Sequence, residues 1–152
     1  MLRRIFLLLA VLVALVLAVI LLGPFLIPAT SSAGQKQAID LAPAASRFVT
    51  VPVDGTRGIP LHFQEAGPTE KEDRPTFILL HGFTFNLFTW DPIRDFLAAR
   101  GRVLAYDQIP YGLSAKLRPA DWSGPNPYAK EAAIAQLFAF MDALGVERAV
   151  LV

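Results

Sequence analysis

With 152 residues, a formal charge of +1 and no cysteine, the chain has room for one folded domain and excludes a disulfide framework or a thiolate metal site in this stretch. Hydrophobic residues make up 54%, a share inflated by the N-terminus. Setting aside Arg3 and Arg4 leaves 12 basic residues against 13 acidic ones, so the remainder is near −1, with no basic stripe and no argument for a nucleic-acid partner.

Ile5 to Leu22 is a run of eighteen apolar residues behind Arg3 and Arg4. At ~1.5 Å per residue it spans ~27 Å, close to the ~30 Å hydrocarbon thickness of a bilayer. Fifteen of the eighteen are Leu, Val, Ile or Phe. At roughly −0.3 to −0.6 kcal/mol each, they favour insertion by about 5 to 9 kcal/mol. A cleaved secretory signal has a shorter apolar core of ~7–15 residues, although Ser31-Ser32-Ala33 offers a small-residue cleavage site. Residues 1–28 are therefore read as a transmembrane signal anchor touching the membrane through residues 5–22, with a cleaved, secreted form as the alternative. Either way Arg3 and Arg4 hold the N-terminus inside and place the rest of the chain outside the cytoplasm. Residues 29–46 carry Thr30-Ser31-Ser32, scattered alanines and Pro43 without a sustained period, and read as a linker.

Residues 47–152 alternate strand and helix signals. Phe48, Val49, Val51 and Val53 predict a strand, and Leu61 to Gln64 predicts another, joined by the turn-rich Asp54 to Gly58. His62 alternates with Leu61 and Phe63 and is expected to face solvent. Gly67 to Arg74 is a polar connection ending at Pro75. Phe77 to Leu80 and Val103 to Tyr106 are continuous apolar runs, suited to strands buried on both faces. Between them Thr89 is expected to cap a helix with Trp90, Ile93 and Leu97 on one face, stopped by Gly101. After a loop over Lys116 to Pro127, Asn126 as N-cap and Pro127 in first position predict a helix to about Leu144. Its buried face is expected to carry Ile134, Leu137, Phe138 and Met141, and Gly145 ends it. Glu147 to Val152 opens a further apolar strand. A hairpin followed by alternating strands and helices is the order of an α/β domain with a mostly parallel sheet.

Two strand ends carry the functional signal. The first apolar run closes in His81-Gly82-Phe83, the second in Asp107-Gln-Ile-Pro-Tyr-Gly-Leu-Ser114. Gly82 after a buried strand suits a tight turn at the carboxyl edge of the sheet, where open α/β folds place ligands. Asp107 can fix its turn by accepting backbone N–H groups, and Gly112 permits an angle closed to side chains. Neither His62 nor His81 has a second ligand at metal-binding spacing, and no Gly-x-Gly-x-x-Gly or Walker loop is present, so no metal and no nucleotide cofactor is expected.

The pair of loops resembles the N-terminal half of the α/β-hydrolase family, over roughly Phe48 to Val152 and most specifically Leu80 to Ser114. Ile109 and Pro110 depart from that family's commonest loop, whereas Tyr111, Gly112 and Ser114 match it. The resemblance implies an α/β-hydrolase-type sheet behind an N-terminal transmembrane helix. It implies that the backbone N–H of Phe83 is one oxyanion-hole donor, supported by His81 and Gly82. Phe83, Phe85 and Trp90 would line a substrate pocket, although Trp90 equally suits the core. Asp107, Gly112 and Ser114 would be structural, and no catalytic side chain lies within the chain. Nucleophile, acid and base are expected after Val152, where a Gly-x-Ser-x-Gly elbow would begin. The implied activity is cofactor-free hydrolysis of a small, apolar, ester-like substrate through that serine, with these 152 residues inactive and poorly soluble by themselves. Epoxide or haloalkane hydrolysis through an Asp nucleophile is the alternative, although Thr84 in place of proline after His81-Gly82-Phe83 points away from the epoxide branch. A non-catalytic, membrane-tethered binding protein of the same fold is a rival from another class.

Overall fold

The computed structural model describes residues 2–26, 36–69 and 74–152. Helix α1 runs over Leu2–Leu26, and within it Arg3–Gly23 is long and apolar enough to cross a membrane. A signal sequence passes the same test of length and composition. Residues 27–35, much of the predicted linker, lie outside the described residues, as do residues 70–73 of the polar connection. Lys36 to Val152 form a compact unit of their own, which takes in a short helix α2 at Ala38–Leu41.

Five strands make one sheet in the order β1-β2-β4-β3-β5. The hairpin strands are β1 (Ser46–Val51) and β2 (Ile59–Ala66), paired antiparallel from Ser46 opposite Gln64 to Val51 opposite Ile59. β2 also runs antiparallel to β4 (Arg102–Tyr106), with Phe63 opposite Tyr106. β3 (Thr76–Leu80) is parallel to β4 on one side and to β5 (Val150–Leu151) on the other. β5 is the edge strand here, and Val150, Leu151 and Val152 are exposed.

Alternation along the strands divides the core in two. Ile59, Leu61, Phe63, Ile78, Leu104 and Tyr106 face helix α4 (Lys130–Ala143), which contributes Phe140 and Met141. Leu79, Val103 and Ala105 face the other way and meet Leu87, Trp90 and Leu97, around helix α3 (Asp91–Ala98). At about 25 cal/mol per Å² of apolar surface, each fully buried Val, Leu, Ile or Phe among them contributes about 1.5–3 kcal/mol.

Both helices begin differently from expectation. Thr89 caps nothing. Asn86 accepts the N–H of Phe88 at 3.0 Å and opens a 3₁₀ turn over Leu87–Trp90 that runs into α3. Asn126 spends its side chain on the N–H of Tyr128 at 3.0 Å, closing an Asx turn, so α4 starts three residues after Pro127. The face of α4 is also rotated. Ile134 and Phe138 are exposed, whereas Gln136, Phe140 and Met141 are buried, with Gln136 donating to the carbonyl of Pro127 at 2.8 Å.

The largest departure is His62, which is fully buried. β2 lies inside the sheet between β1 and β4, and both its faces are covered: Leu61 and Phe63 meet α4, while His62 meets the layer of the 3₁₀ turn, its ring 6.2 Å from that of Phe88. A hairpin strand with one wet face was the wrong picture for β2.

Candidate functional site

β3 and β4 end side by side, with Leu80 opposite Tyr106, so the loops that follow meet at the same edge of the sheet. His81 joins them. Its Nε2 accepts the backbone N–H of Gln108 at 2.9 Å, so the ring carries its proton on Nδ1. That Nδ1–H donates to the carbonyl of Gly82 at 2.8 Å. Gln108 closes the clasp by donating from its side chain to the carbonyl of His81 at 2.6 Å. His81 is buried, so water does not compete for these bonds.

The clasp has a geometric consequence. Gly82 C=O and Phe83 N–H belong to one planar, trans peptide unit and point in opposite directions. Holding the carbonyl inward, through His81 and the N–H of Phe85 at 3.2 Å, aims the Phe83 N–H outward. No acceptor among the described residues takes it. Its side chain is 82% exposed, Phe85 is exposed beside it, and Tyr111 packs edge-on against both His81 and Phe83 at centroid distances of 5.6 and 5.9 Å.

The strain in this loop sits at Thr84, with φ +65°, and not at Gly82. A Cβ built on Gly82 would meet only the Phe85 ring, at 3.9 Å. The tight turn expected of Gly82 is therefore made two residues later. A non-glycine residue in the left-handed region costs on the order of 1–3 kcal/mol and persists where its surroundings over-determine it.

Below the second loop lies a buried carboxylate. Asp107 accepts from Leu87 N–H at 2.7 Å, from Leu113 N–H at 2.8 Å and from His62 Nδ1 at 2.7 Å. Burial pushes its carboxyl up, but the bonds from His62, Leu113 and Leu87 and the charge of His62 outweigh it and hold the group below the usual carboxylate range. One side chain thus ties β2, the 3₁₀ turn before α3 and the loop after β4. Gly112 is required at φ +51°, where a Cβ would stand 1.8 Å from Asp107 Oδ2. Ser114 is buried, accepts the His62 N–H at 2.8 Å and donates to the Asp107 carbonyl. Its hydroxyl thus accepts one buried hydrogen bond and donates another. The departure at Ile109-Pro110 takes the form of a cis peptide.

Trp90 is half-buried against the second core layer, and its buried Nε1 has no partner among the described residues. Phe83 and Phe85 remain as the exposed aromatics beside the free amide. Among the described residues no group of three His, Cys, Asp or Glu could hold a metal.

No family model matches the chain. Relatives do. The mouse bifunctional epoxide hydrolase 2 is 36% identical over 99 residues, 62% of this chain and 16% of that protein. The AB hydrolase superfamily protein YfhM of Bacillus subtilis is 44% identical over 62 residues, 40% of this chain and 21% of that protein. The solved enol-lactonase of Burkholderia xenovorans superposes with a TM-score of 0.54 at 25% identity, covering 69% of this chain and 35% of the other. The epoxide hydrolase VrEH1 of Vigna radiata gives 0.55 at 27%, covering 70% and 30%. In sequence and in fold the chain is similar to members of the α/β-hydrolase family.

It spans about a fifth or less of the curated relatives it matches. As in an open α/β-hydrolase sheet, the two loops that carry the resemblance lie at one edge. The sequence missed His62, Gln108 and Ser46, whose Oγ lies 2.6 Å from His62 Nε2. One signal was available for His62: an Asp predicted at a buried strand end needs a donor, and His62 is a polar side chain between the apolar Leu61 and Phe63 of a strand pattern.

Proposed function

We propose that the protein is a cofactor-independent hydrolase of small, apolar, ester-like substrates and that Phe83 N–H is one donor of its oxyanion hole. The observation that carries this is the unpartnered amide, aimed outward by the His81–Gln108 clasp and flanked by Phe83 and Phe85. A tetrahedral oxyanion is stabilised by preorganised donors that need no reorganisation, and one such donor contributes about 2.7–4 kcal/mol, or 10²–10³-fold in kcat. In this reading a serine beyond Val152 adds to the substrate carbonyl as a histidine takes its proton. The oxyanion collapses to an acyl-enzyme as the alcohol leaves protonated, and water then releases the acid. Ser114, the one serine in the loop, is buried and committed to Asp107 and His62, and residues 1–152 alone are expected to be inactive.

The likeness to epoxide hydrolases favours a second reading, in which an Asp nucleophile opens an epoxide and the resulting ester is hydrolysed at the same oxyanion hole. Residues 1–28 are read as a signal anchor, 29–46 as linker and 47–152 as the N-terminal part of a hydrolase domain lying outside the cytoplasm; TM-length apolarity of Arg3–Gly23 supports the anchor.

The test uses the full-length protein with p-nitrophenyl butyrate and with styrene oxide. His81→Ala frees the Gly82 carbonyl and is expected to lower kcat by about 10–10²-fold with little change in KM, part of what losing a whole donor would cost. Labelling by a fluorophosphonate assigns a serine; turnover of the epoxide without labelling assigns the Asp reading. Neither substrate turned over, or kcat unaffected by His81→Ala, would overturn the proposal.

A further inference from the structure

Away from the free amide, residues 36–41 of the compact unit form one wall of an open groove of about 770 Å³. Ile39 and Leu41 line it and are 64% and 55% exposed. Phe48, Leu113 and Ala115 line it too, and Lys36 and Lys116 belong to its wall. The Lys116 ammonium is held by the carbonyls of Gly112 and Ser114 at 2.8 and 3.2 Å. Asp40, the acidic residue of α2, is turned to the backbone N–H of Gln37 at 2.9 Å. Two exposed aliphatic side chains on a four-residue helix bury nothing within the unit, so its own packing does not explain them.

The segment follows the apolar helix closely in the chain. Ten Cα–Cα steps separate Leu26, the end of the apolar helix, from Lys36, a reach of at most about 36 Å. A surface apolar in its middle and carrying lysines has the composition of an interfacial segment: aliphatic groups for the acyl boundary and ammonium groups for anionic headgroups.

We propose that the groove surface of Lys36–Leu41 and Leu113–Lys116 lies against the lipid bilayer. The proposal rests on reading Arg3–Gly23 as an anchor and not on the hydrolase chemistry. It also joins the bilayer side to the candidate site through one loop, since Tyr111, which packs on Phe83, precedes the Gly112–Lys116 wall.

No cysteine occurs in these 152 residues, so with any cysteine elsewhere in the protein replaced by serine, single-site labelling gives a direct test. Ile39→Cys, Leu41→Cys and, as a control at an exposed site on α3, Phe96→Cys are each labelled with a polarity-sensitive fluorophore in the full-length protein. The labelled proteins are reconstituted into vesicles of phosphatidylethanolamine and phosphatidylglycerol. Emission is expected to shift to the blue and to lose iodide quenching at positions 39 and 41 but not at 96. Lys36→Glu should diminish the shift, as should vesicles of phosphatidylcholine alone. Protein that floats with the vesicles yet gives water-like emission at all three positions would overturn the proposal and leave the anchor standing. Protein that does not float would remove the anchor, and the proposal with it. A blue shift in detergent that grows with protein concentration would assign the surface to a second copy of the chain instead.

Discussion

Replacing His62 by Ala tests whether a side chain remote from the free amide governs it. The ring is fully buried and bridges Asp107 at 2.7 Å to Ser46 at 2.6 Å. Deleting it leaves a cavity and removes one of three donors from a buried carboxylate; breaking such a pair costs about 3–5 kcal/mol. Against a total stability of about 5–15 kcal/mol, that is a large fraction. The sign with pH follows from Asp107. Its folded pKa lies below its unfolded value of about 3.9, so its contribution is fully present above that value and fades as pH falls through the folded pKa. Without His62, burial is opposed only by the bonds from Leu87 and Leu113, and the carboxyl moves up. The deficit of His62→Ala should therefore be greatest near neutral pH and shrink below about pH 4. Urea unfolding followed by tryptophan fluorescence across that range measures it. Because Asp107 positions the loop whose Gln108 holds His81, kcat should fall as well. A deficit under about 1 kcal/mol, what an ordinary hydrogen bond contributes, or one independent of pH, would refute the account of Asp107 as the tie between the layers.

Gly112→Ala should cost about 3 kcal/mol or more, because strain at φ +51° adds to a Cβ driven into the Asp107 carboxylate. Gly82→Ala, whose Cβ meets only the Phe85 ring, should stay within about 0.5 kcal/mol; parallel urea titrations compare the two. Thr84→Gly relieves the left-handed strain of ~1–2 kcal/mol while adding ~0.5–1 kcal/mol of unfolded-chain entropy, so the midpoint should hold or rise, and a clear fall would argue against strain there. Full-length protein should pellet with membranes and resist carbonate extraction; soluble material with a mature N-terminus near Gly34 would mean that the apolar run is a cleaved signal.

Several features of the site were legible because their cause is local. Gly112 is read from sequence since a backbone angle depends on one residue, and Asp107 since a strand end exposes backbone donors to a short acidic side chain. Gly82 was misread by the same kind of argument: the loop puts its left-handed residue at Thr84, a choice made by the bonds of Gly82 C=O to His81 and Phe85. Helix starts were misplaced because Asn126 and Thr89 are chemically able to cap. Which Asn caps what depends on Leu87 being drawn to Asp107, twenty residues away, and on Pro127 being held by Gln136.

Periodicity and composition alone determined the apolar helix, the hairpin, the two buried parallel strands and the order of α and β elements, since each depends on the chain's own repeat of apolar residues. The tertiary structure alone decided the environment of His62. Its neighbours in sequence are those of a half-wet strand. Insertion of β2 between β1 and β4, with α4 on one face and the 3₁₀ turn on the other, removes the water and leaves Asp107 and Ser46 as its polar partners. Residues 45 and 16 positions away supply those bonds, and no local pattern carries information over that distance.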